Sequence, residues 1–558
     1  MNLLDEAWMP VRHQDGSRHW VAPPQLGDPR IAAFDACRPD FNGALAQFAI
    51  GLLQTCNPVE DVYGWREWLK SGPSPEQLRT WLEPVREAFV FDGNGARFMQ
   101  DFELREADGD PTPIAALLID TPGENAIKNN SDHFVKRGRL QAVCPHCAAL
   151  ALFTLQLNAP SGGAGHRTGL RGGGPLTTLL MASGEGSSLW TCLWLNVSPR
   201  ADWLQAGVEP GMFEARCRFP WLAPQSAQQP DGGQVTPLQT HPDQVFWAMP
   251  RRIRLLEATT PAAACDLCGR DGMALIGAYI NRNQGLNYKG SWRHPLSPYY
   301  ETKEGWLPLH PQPDGLGYRH WAGWVLGFAS EKRRIEPAYA LHQGWPRLER
   351  QLHQPLRLWA FGFDMENMKA RCWYDSTLPL YHLADLPLSA HQALQQDIKA
   401  WIEGAEQAAR YLQWAVRDAW FGHEARGDLS HVEAAFWAAT EPAFYKLLAK
   451  ALAAQPADLG EDAEREARDA RALGWLTTLQ QQARRLFDEV LVGVARIERQ
   501  NPARVAAAHQ KLQQQLYGDA IRKLLNLPVL NPEEKAAKKK AKSTAARAAS
   551  PATPTATA

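Results

Sequence analysis

The chain has 558 residues, too many for one compact hydrophobic core, so two or more domains are expected. Hydrophobic residues make up 45% and charged residues 21%, the balance of a globular protein, and no apolar run reaches the roughly 18–20 residues of a membrane-spanning helix. Residues 1–6 lack the basic and apolar regions of a signal peptide, so we expect a cytoplasmic protein. The formal net charge is −1, so any binding of nucleic acid must depend on local basic patches.

The first part of the chain, residues 1–380, is rich in Gly, Pro and Trp and contains only short apolar runs. This pattern indicates a large, irregular, mixed α/β N-terminal domain whose long loops are functional or ordered by a partner. The pattern changes in residues 385–530, where apolar residues recur every three or four positions. That period predicts a C-terminal antiparallel helical bundle. The expected fold class is therefore α+β.

Several start signals locate the helices of this bundle. Ser389 with Gln392, and Ser430 with Glu433, fit capping boxes, and proline is favoured in the first turn of a helix. We expect separate helices to begin near Ser389, Ser430, Thr440, Asp462 and Pro502. Residues 533–558, a Lys/Ala/Thr-rich tail, are expected to be disordered, because they cannot bury enough apolar surface to offset the entropy of ordering.

Two Cys-x-x-Cys pairs, Cys144/Cys147 and Cys265/Cys268, are the strongest chemical signal in the sequence. Each pair places two thiols on a tight turn, and four thiolates match the tetrahedral coordination of a structural Zn²⁺ that has no open position for a substrate. Such an ion would join two distant segments. The same residues also permit two unrelated buried pairs, a redox motif, or a site in which His146 replaces one cysteine.

A glycine-rich run occupies residues 161–175. Gly162, Gly163, Ala164 and Gly165 would allow a ligand to approach the backbone closely. Arg167, together with His166 and Arg171, would attract phosphate. The run lacks the Gly-Lys-Ser/Thr ending of a phosphate-binding P-loop, so nucleotide hydrolysis is not expected. The segment is interpreted either as a loop against nucleic acid or as a flexible surface loop.

Basic stretches flank both cysteine pairs, with Tyr279, Tyr288 and Trp292 interleaved in the last of them. If zinc joins the pairs, these stretches converge with the glycine-rich run, as a surface that follows phosphates requires. No recognised hydrolase or metalloprotease motif is present, so we assign no catalytic residue. The basic stretches comprise Lys128, Lys136, Arg137 and Arg139, then Arg251, Arg252 and Arg254, and finally Arg282, Lys289 and Arg293.

These features together resemble the CasA family, the large subunit of the type I-E CRISPR Cascade complex. The resemblance covers nearly the whole chain except the tail. It includes the first cysteine pair followed by an apolar strand, both pairs with the glycine-rich run, and the C-terminal helices. The remaining matching motifs are the opening Met1-Asn2-Leu3-Leu4 with Trp8-Met9-Pro10-Val11, His294-Pro295 with Ser297-Pro298, and the segment from Gly362 to Arg371.

The resemblance implies a non-catalytic subunit that acts with crRNA and the other Cascade subunits. Such a subunit recognises a short protospacer-adjacent motif (PAM) in double-stranded target DNA, helps to open the duplex, and recruits a helicase-nuclease. The bundle would steady the displaced strand. By resemblance, residues 162–165 form a glycine loop, Arg282 replaces a lysine finger, and Glu366 with Asn367 occupies the place of an amide wedge. Lys128, Lys136 and Arg137 would contact guide RNA or DNA.

Two other hypotheses remain compatible with the residues. The chain could be a zinc-containing enzyme that processes nucleic acid, or a scaffold whose basic patches bind only protein. Cleavage that depends on a divalent metal would indicate the enzyme, and DNA binding that does not weaken with salt would indicate the scaffold.

Overall fold

A computed structural model describes the chain in two compact units, Met1–Leu316 with His320–Asp385, and Gly317–Arg319 with Leu386–Ala558. The first unit mixes strands with short helices and the second is helical, so the α+β prediction is confirmed. The predicted tail lies outside the described residues. The description omits residues 131, 133–137, 163–164, 205–207, 209, 229–232, 258–259, 314, 330–333, 349–354, 382–387, 422–426, 454–460, 494–500 and 530–558.

The described strands belong to the first unit and pair in five antiparallel sheets. Their bounds are β1 Met9–His13, β2 Arg18–Val21, β3 Ile31–Phe34, β4 Thr112–Pro113, β5 Thr177–Ala182, β6 Arg252–Leu255, β7 Thr260–Ala263, β8 Met273–Leu275, β9 Ala278–Arg282, β10 Tyr299–Thr302, β11 Gly305–Pro308, β12 Phe328–Ala329, β13 Arg334–Glu336, β14 Leu356–Glu366 and β15 Lys369–Leu380. The strand orders are β2-β1-β3, β11-β10-β13-β12, β15-β14-β5, β4-β9-β6 and β7-β8.

Helices of the first unit connect these sheets. The α-helices are α1 Pro39–Cys56, α2 Val62–Lys70, α3 Pro75–Leu82, α4 Glu124–Lys128, α5 Pro145–Asn158, α6 Leu189–Trp194, α7 Arg200–Trp203, α8 Ala215–Arg218, α9 Gln225–Gln228, α10 Trp321–Val325 and α11 Tyr339–Leu348. Short 3-10 helices of this unit span Pro23–Gln25, Glu83–Phe89, Glu106–Asp108, Ile114–Leu117, Pro210–Phe213, Pro220–Leu222, Pro237–Gln239 and Pro242–Phe246, and another, Tyr318–His320, begins in the second unit.

An aromatic cluster forms the centre of the first unit. Phe48 of α1 makes edge-on contacts with Trp8, Phe89, Phe153 of α5 and Trp247, with ring centroids 5.2–5.8 Å apart. Edge-to-face packing of this kind adds to the stabilisation from burial itself. The helices α1 and α5 are therefore buried on nearly all sides.

The prediction of an apolar strand after the first cysteine pair is wrong, because these residues form helix α5. Pro145 stands in the first turn and the Cys144 side chain accepts a hydrogen bond from the Cys147 amide, which together start a helix. A fully buried helix has no polar face. Its apolar run cannot be distinguished from a buried strand by periodicity alone.

The second unit is a set of helices whose apolar stripes pack against each other, as the period predicted. Ile398, Ala405 and Leu412 line the longest helix and are completely buried. The bounds are α12 Leu388–Trp420, α13 Ser430–Ala453, α14 Glu461–Arg485 with a π-helical end at Leu486–Leu491, α15 Pro502–Leu516 and α16 Asp519–Leu524. The last helix was not predicted from the sequence.

One helix of this unit corrects the sequence prediction. Separate helices were expected to begin at Ser430 and Thr440, but α13 runs through both with Pro442 inside it. Proline weakens a helix interior, yet Thr440 and Phe444 are both buried against one core. Tyr318 stacks on Phe444 at 4.4 Å and hydrogen bonds Thr440 at 2.9 Å. Tertiary packing therefore overrides the proline signal.

No described helix combines the length and the apolar character that a bilayer crossing requires.

Candidate metal centre and nucleic-acid interface

All four predicted cysteine ligands come together in the first unit. Their Sγ atoms lie within 4.8 Å of one another, and the sulfurs of Cys144 and Cys268 are 3.7 Å apart. A tetrahedral zinc ion with Zn–S bonds of about 2.3 Å separates its sulfurs by about 3.8 Å, so the cluster has suitable dimensions. The prediction that the two pairs meet is confirmed. Among the described residues this is the only such group of metal-binding side chains.

Local backbone structure builds the cluster from two turns. Cys144 caps the N-terminus of α5, and Cys147 follows in the first turn of that helix. Cys265 and Cys268 lie between β7 and β8, where Gly269 has a φ of +71° and donates its amide to the Cys265 carbonyl at 2.9 Å. The Cys144 amide also donates to the Cys265 sulfur at 3.2 Å. The two turns are thus fastened to each other directly.

Hydrogen bonds among the four sulfurs divide the cluster: they raise the pKa of Cys144 and Cys147, and they favour thiolates at Cys265 and Cys268. Hydrogen bonding with Cys144 and then Cys147 lowers the pKa of Cys265, and it lowers the pKa of Cys268 to about 7. A thiolate is the form of cysteine that binds zinc. His146 is not part of the sulfur cluster; its Nδ1 accepts a hydrogen bond from Arg270 at 2.9 Å. Burial, and then Arg270, lowers the pKa of His146 to about 4.

The first part of the glycine-rich run, residues 161–168, is here called the outer segment. Its Gly165 has a φ of +86° and its carbonyl accepts a hydrogen bond from the Gln284 amide at 2.7 Å. A Cβ at Gly165 would lie 2.7 Å from Cβ of Asn283, and a Cβ at Gly162 would lie 3.6 Å from Arg251 Nη2. The structure therefore places Gly165 beside the residues that follow β9 and Gly162 beside Arg251, which precedes β6. Gly163 and Ala164 lie outside the described residues.

The remainder of the run, residues 169–175, is here called the inner segment. Arg171 is only 3% exposed, and its Nη1 donates to Thr177 Oγ1 at 3.0 Å and to Ser297 Oγ at 2.9 Å. Its Nη2 donates to Gln47 Oε1 on α1. The expectation that Arg171 attracts phosphate is therefore wrong. Its guanidinium anchors the segment to the interior, and burial lowers its pKa to about 10, so it stays charged at neutral pH.

Glycines fix the inner segment against its neighbours. Gly174 has a φ of +61°, and a Cβ there would lie 2.7 Å from the Phe363 carbonyl oxygen on β14. A Cβ at Gly173 would lie 2.8 Å from Cα of Pro160. Both neighbours are backbone atoms that cannot rotate away. Only glycine fits at these two positions, and the run is thereby held next to the β14–β15 hairpin.

Most of the basic groups expected beside the second cysteine pair are engaged inside the protein. Arg251 is buried and donates to the Pro160 carbonyl, and Arg252 pairs with Asp101. Arg254 is 6% exposed, and burial lowers its pKa to about 10. Arg293 lies over the rings of Tyr299 and Trp306. The prediction that Arg251, Arg252 and Arg254 contribute to a free basic surface is therefore wrong.

The interleaved aromatic residues also belong to the core. Tyr279 and Trp292 are 4% and 6% exposed, so their faces cannot stack on bases. The hydroxyl of Tyr288 accepts a hydrogen bond from the Met249 amide at 2.9 Å. The interleaved aromatic residues therefore reflect packing of β9 and of the loop that follows it into the core.

Arg282 remains at the surface, at the end of β9. Its side chain is 48% exposed and forms an ion pair with Asp108 at 3.3 Å. Arg167 is partly buried, and its Nε has no hydrogen-bond partner among the described residues. Lys128 is exposed at the end of α4. Lys136 and Arg137 lie outside the described residues.

The predicted wedge residues lie at the tip of the β14–β15 hairpin. Asn367 and Met368 are the two central residues of the turn, with φ values of +46° and +67°. Two positive φ values are typical of a type I′ hairpin turn, in which the second position is normally glycine. A side chain larger than glycine costs roughly 1–2 kcal/mol there. Met368 is nevertheless 53% exposed.

An ion-pair network stabilises this tip. Arg371 donates to both carboxylate oxygens of Asp364, at 2.8 and 2.9 Å, and to Glu366 at 2.8 Å. The two acids and the two cations Lys369 and Arg371 cancel formally. The negative charge of Glu366 is therefore paired within the hairpin.

Sequence reasoning missed three features of this region: the Asn283-Gln284 contact with the outer segment, the Arg371 network and Met368. A usable signal existed only for the hairpin, because Asn367 separates two stretches of alternating residues and asparagine accepts positive φ. The contact of Asn283 and Gln284 with the outer segment joins residues that are far apart in the chain, and the Arg371 network depends on the strand register of the hairpin.

Comparisons with known proteins identify the family. The family model described as CRISPR-associated protein Cse1 matches residues 2–486. Thermus thermophilus CasA (Cse1) is 18% identical with a TM-score of 0.63, over 92% of this chain and 99% of that chain. Thermobifida fusca Cse1 is 16% identical with a TM-score of 0.64, over 94% and 98%.

A chain in a structure entitled "CRISPR RNA-guided surveillance complex" is 17% identical with a TM-score of 0.65, over 93% of this chain and 99% of that chain. At these identities the structural matches show a shared fold. The family resemblance inferred from the sequence is confirmed by the family model. Because that model spans most of its length, this chain belongs to the CRISPR-associated protein Cse1 family.

Proposed function

We propose that this chain is the non-catalytic large subunit of a crRNA-guided type I-E Cascade complex. The observation that carries the proposal is the Cse1 family match over residues 2–486. Structures entitled as CRISPR RNA-guided surveillance complexes contain chains with the same fold. The proposed partners are crRNA, the other Cascade subunits, double-stranded target DNA and the helicase-nuclease of the type I system.

The proposed DNA-reading surface consists of the outer segment, the end of β9 and the hairpin tip. Bare backbone at Gly165 adjoins Asn283 and Gln284, so the preceding residue, Arg282, can supply a cation beside it. Phosphate contacts position a duplex and confer affinity that falls with salt. Arg282 must exchange Asp108 for a phosphate to act in this way. Gly163, Ala164, Arg167, Glu366 and Asn367 complete the proposed surface.

The proposed metal is structural Zn²⁺ held by Cys144, Cys147, Cys265 and Cys268. Four sulfur ligands leave no open coordination position, which supports a non-catalytic role. When bound, the ion would join the start of α5 to the turn before β8. The far ends of these segments, at residues 158–160 and 282–284, adjoin the outer segment. By holding these two segments together, the ion would fix the geometry of the DNA-reading surface.

The remaining proposed contacts are those of the basic loop and of the bundle. Lys128, Lys136 and Arg137 are proposed to contact guide RNA or DNA. The helical second unit is proposed to steady the displaced strand and to help recruit the helicase-nuclease.

Co-expression with the other subunits and crRNA tests the proposal. The tagged chain should retain crRNA, and the purified complex should bind motif-containing duplex more tightly than scrambled duplex, with affinity that falls as salt rises. Incubation with divalent metal should leave the DNA intact; metal-dependent cleavage by the chain alone would instead indicate a nucleic-acid-processing enzyme. Absence of crRNA and of motif preference would reject the proposal.

A charge substitution localises the interface. Gly163→Asp places a carboxylate in the outer segment and should weaken binding of motif-containing duplex about tenfold while the complex still assembles. Gly95→Asp is the matched control, because Gly95 is exposed and nothing lies within 4 Å of its Cβ position. Equal losses of DNA affinity in the two variants would show that the outer segment is not part of the interface.

A second substitution tests the wedge assignment. Asn367→Ala should slow opening of the duplex more than initial capture, because a group at the hairpin tip acts on stacked base pairs. Equal losses in both steps would mean that Asn367 only contacts phosphate.

A further inference from the structure

A fifth cysteine lies beside the four-sulfur cluster. Cys37 belongs to the short segment between β3 and α1, and its side chain forms a hydrogen bond with Cys147. It is not one of the four sulfurs that all lie close to one another. Cys37 is exposed, whereas Cys147 is buried. The cluster therefore has a neighbouring thiol that solvent reaches and that is not one of the proposed zinc ligands.

The residues on either side of this exposed cysteine are fixed. The Ala36 amide donates a hydrogen bond to Oδ1 of Asn42 on α1 at 2.8 Å. On the other side, the Arg38 guanidinium pairs with Asp40 at 2.9 Å and with Asp120 at 3.0 Å. The backbone therefore holds the thiol against the cluster, and no loop has to rearrange to bring the two sulfurs together.

The sheet that leads into this segment borders the cluster at a second place. The Arg270 guanidinium, two residues after Cys268, lies 4.2 Å from the ring of Trp20 on β2. The His146 ring lies 6.2 Å from the same indole. Strands β2 and β3 both pair with β1. The segment that carries Cys37 is therefore packed against the metal centre through its sheet as well as through its thiol.

We propose that Cys37 is an oxidation site of the metal centre, where a peroxide drives formation of a disulfide with Cys147. The inference rests on the proposed zinc and adds to it a reaction of this chain's own thiols. An exposed cysteine beside a second cysteine that can resolve it is the usual arrangement of a redox-sensitive pair. The four ligand sulfurs are less accessible than Cys37.

The reaction has two steps. The Cys37 sulfur attacks the O–O bond of hydrogen peroxide, which yields a sulfenic acid and one water. The Cys147 sulfur then attacks the Cys37 sulfur, the S–S bond forms, and the S–O bond breaks as a second water leaves. The two sulfurs give up two electrons, and the peroxide takes these with protons from the thiol and from solvent. A disulfide sulfur is no longer a thiolate, so the centre keeps three of its four ligands and binds zinc more weakly.

Contacts that need no metal keep the two cysteine turns together after such a loss. The Asp266 carboxylate accepts hydrogen bonds from the amides of Gln141 and Ala142 at 2.7 and 2.8 Å. Val143 and Ile276 exchange backbone hydrogen bonds at 3.0 and 2.8 Å. Oxidation should therefore release the ion without unfolding the chain, and reduction in the presence of zinc should restore the centre.

The experiment uses the full chain, purified with zinc under reducing conditions and then treated with a small molar excess of hydrogen peroxide. Mass spectrometry of proteolytic peptides should find the Cys37 peptide linked to the Cys147 peptide. A chromogenic zinc chelator should record one zinc released for each link formed. Dithiothreitol with added zinc should reverse both changes.

Two variants assign the reaction to Cys37. Cys37→Ser should slow zinc release about tenfold, with an unchanged melting temperature because the side chain is exposed. Cys372→Ser removes another exposed cysteine, on β15, and should release zinc at the wild-type rate. The peptide map of the unaltered chain tests the same link without any substitution.

The outcomes separate this inference from the proposed function. A wild-type chain that contains no zinc overturns both the proposed metal and the oxidation site. Zinc that is bound, but is released from Cys37→Ser as fast as from the wild type, overturns only the role of Cys37. Links confined to the four ligand cysteines also overturn it, because the cluster would then be oxidised without the fifth thiol.

Discussion

The inner and outer segments of the glycine-rich run have similar compositions and different environments. The inner segment is anchored by Arg171, whose guanidinium bonds three buried acceptors. The outer segment reaches Gln284 through a backbone hydrogen bond, and its Arg167 is partly exposed. The difference shows that glycine and arginine can build either an interior joint or a ligand-facing surface. The neighbouring groups decide which of these two environments forms.

The largest expected effect concerns the metal centre, which should support the outer segment more directly than the inner one. Cys144→Ser should remove zinc from the chain and lower the free energy of unfolding by roughly 4 kcal/mol, because metal binding contributes directly to folding stability. Metal analysis and urea unfolding measure the two quantities. Cys372→Ser, which changes an exposed cysteine on β15, is the control. Zinc-free wild-type protein, purified without chelators, would contradict the assignment.

A smaller effect should separate the two arginines. Arg171→Met should lower the free energy of unfolding by about 2 kcal/mol, because the acceptors on Gln47, Thr177 and Ser297 lose their donor inside the protein. Arg167→Met should change stability by less than about 0.5 kcal/mol and weaken DNA binding instead. Equal stability losses in urea unfolding would show that the two segments are not different environments.

Two alanine substitutions sharpen the same comparison. Gly174→Ala should cost about 2 kcal/mol of stability, because its Cβ meets a backbone carbonyl at 2.7 Å. Gly165→Ala should cost less, about 1 kcal/mol for its positive φ, because Asn283, whose Cβ lies 2.7 Å from the added Cβ, is in an exposed bend that can shift; it should also reduce affinity for motif-containing duplex. Thermal unfolding measures the stability loss of each variant, and DNA titration measures its affinity for the duplex. A reversed order of stability losses would contradict the assignment of inner and outer segments.

The smallest effect is a pH dependence around the inner segment. Burial, and then the charge of Arg171, lowers the pKa of His294 well below 6.5. Below about pH 6.5 the unfolded chain binds a proton that the folded chain excludes. Stability should therefore fall with decreasing pH, by up to about 1.4 kcal/mol per unit from this group. His294→Asn should flatten that slope in urea unfolding, whereas an unchanged slope would assign the dependence to other groups.

The sequence was informative where the chemistry is local. Cys-x-x-Cys spacing predicted a four-sulfur cluster, because two thiols on one turn restrict what they can bind. The three-to-four period predicted the bundle, because the stripes of its helices are one-sided. The tip residues Glu366 and Asn367 were selected through family likeness, and the turn geometry then added Met368.

The failures have a common physical cause in packing between distant segments. Helix α5 was expected as a strand because burial on all sides removes its periodicity, and α13 was expected as two helices because Pro442 is a local signal. Arg171 was taken as a surface cation, although Gln47 and Ser297 supply its acceptors from remote parts of the chain. No local pattern carries such information.

Photo-crosslinking tests the central claim most directly. A motif-containing duplex with 4-thiothymidine at the motif would be bound to the assembled complex, irradiated and mapped by mass spectrometry. The account predicts cross-links to peptides containing residues 161–168 and 282–284, and their loss after zinc is removed. Cross-links confined to the helical second unit, or unchanged without zinc, would contradict it.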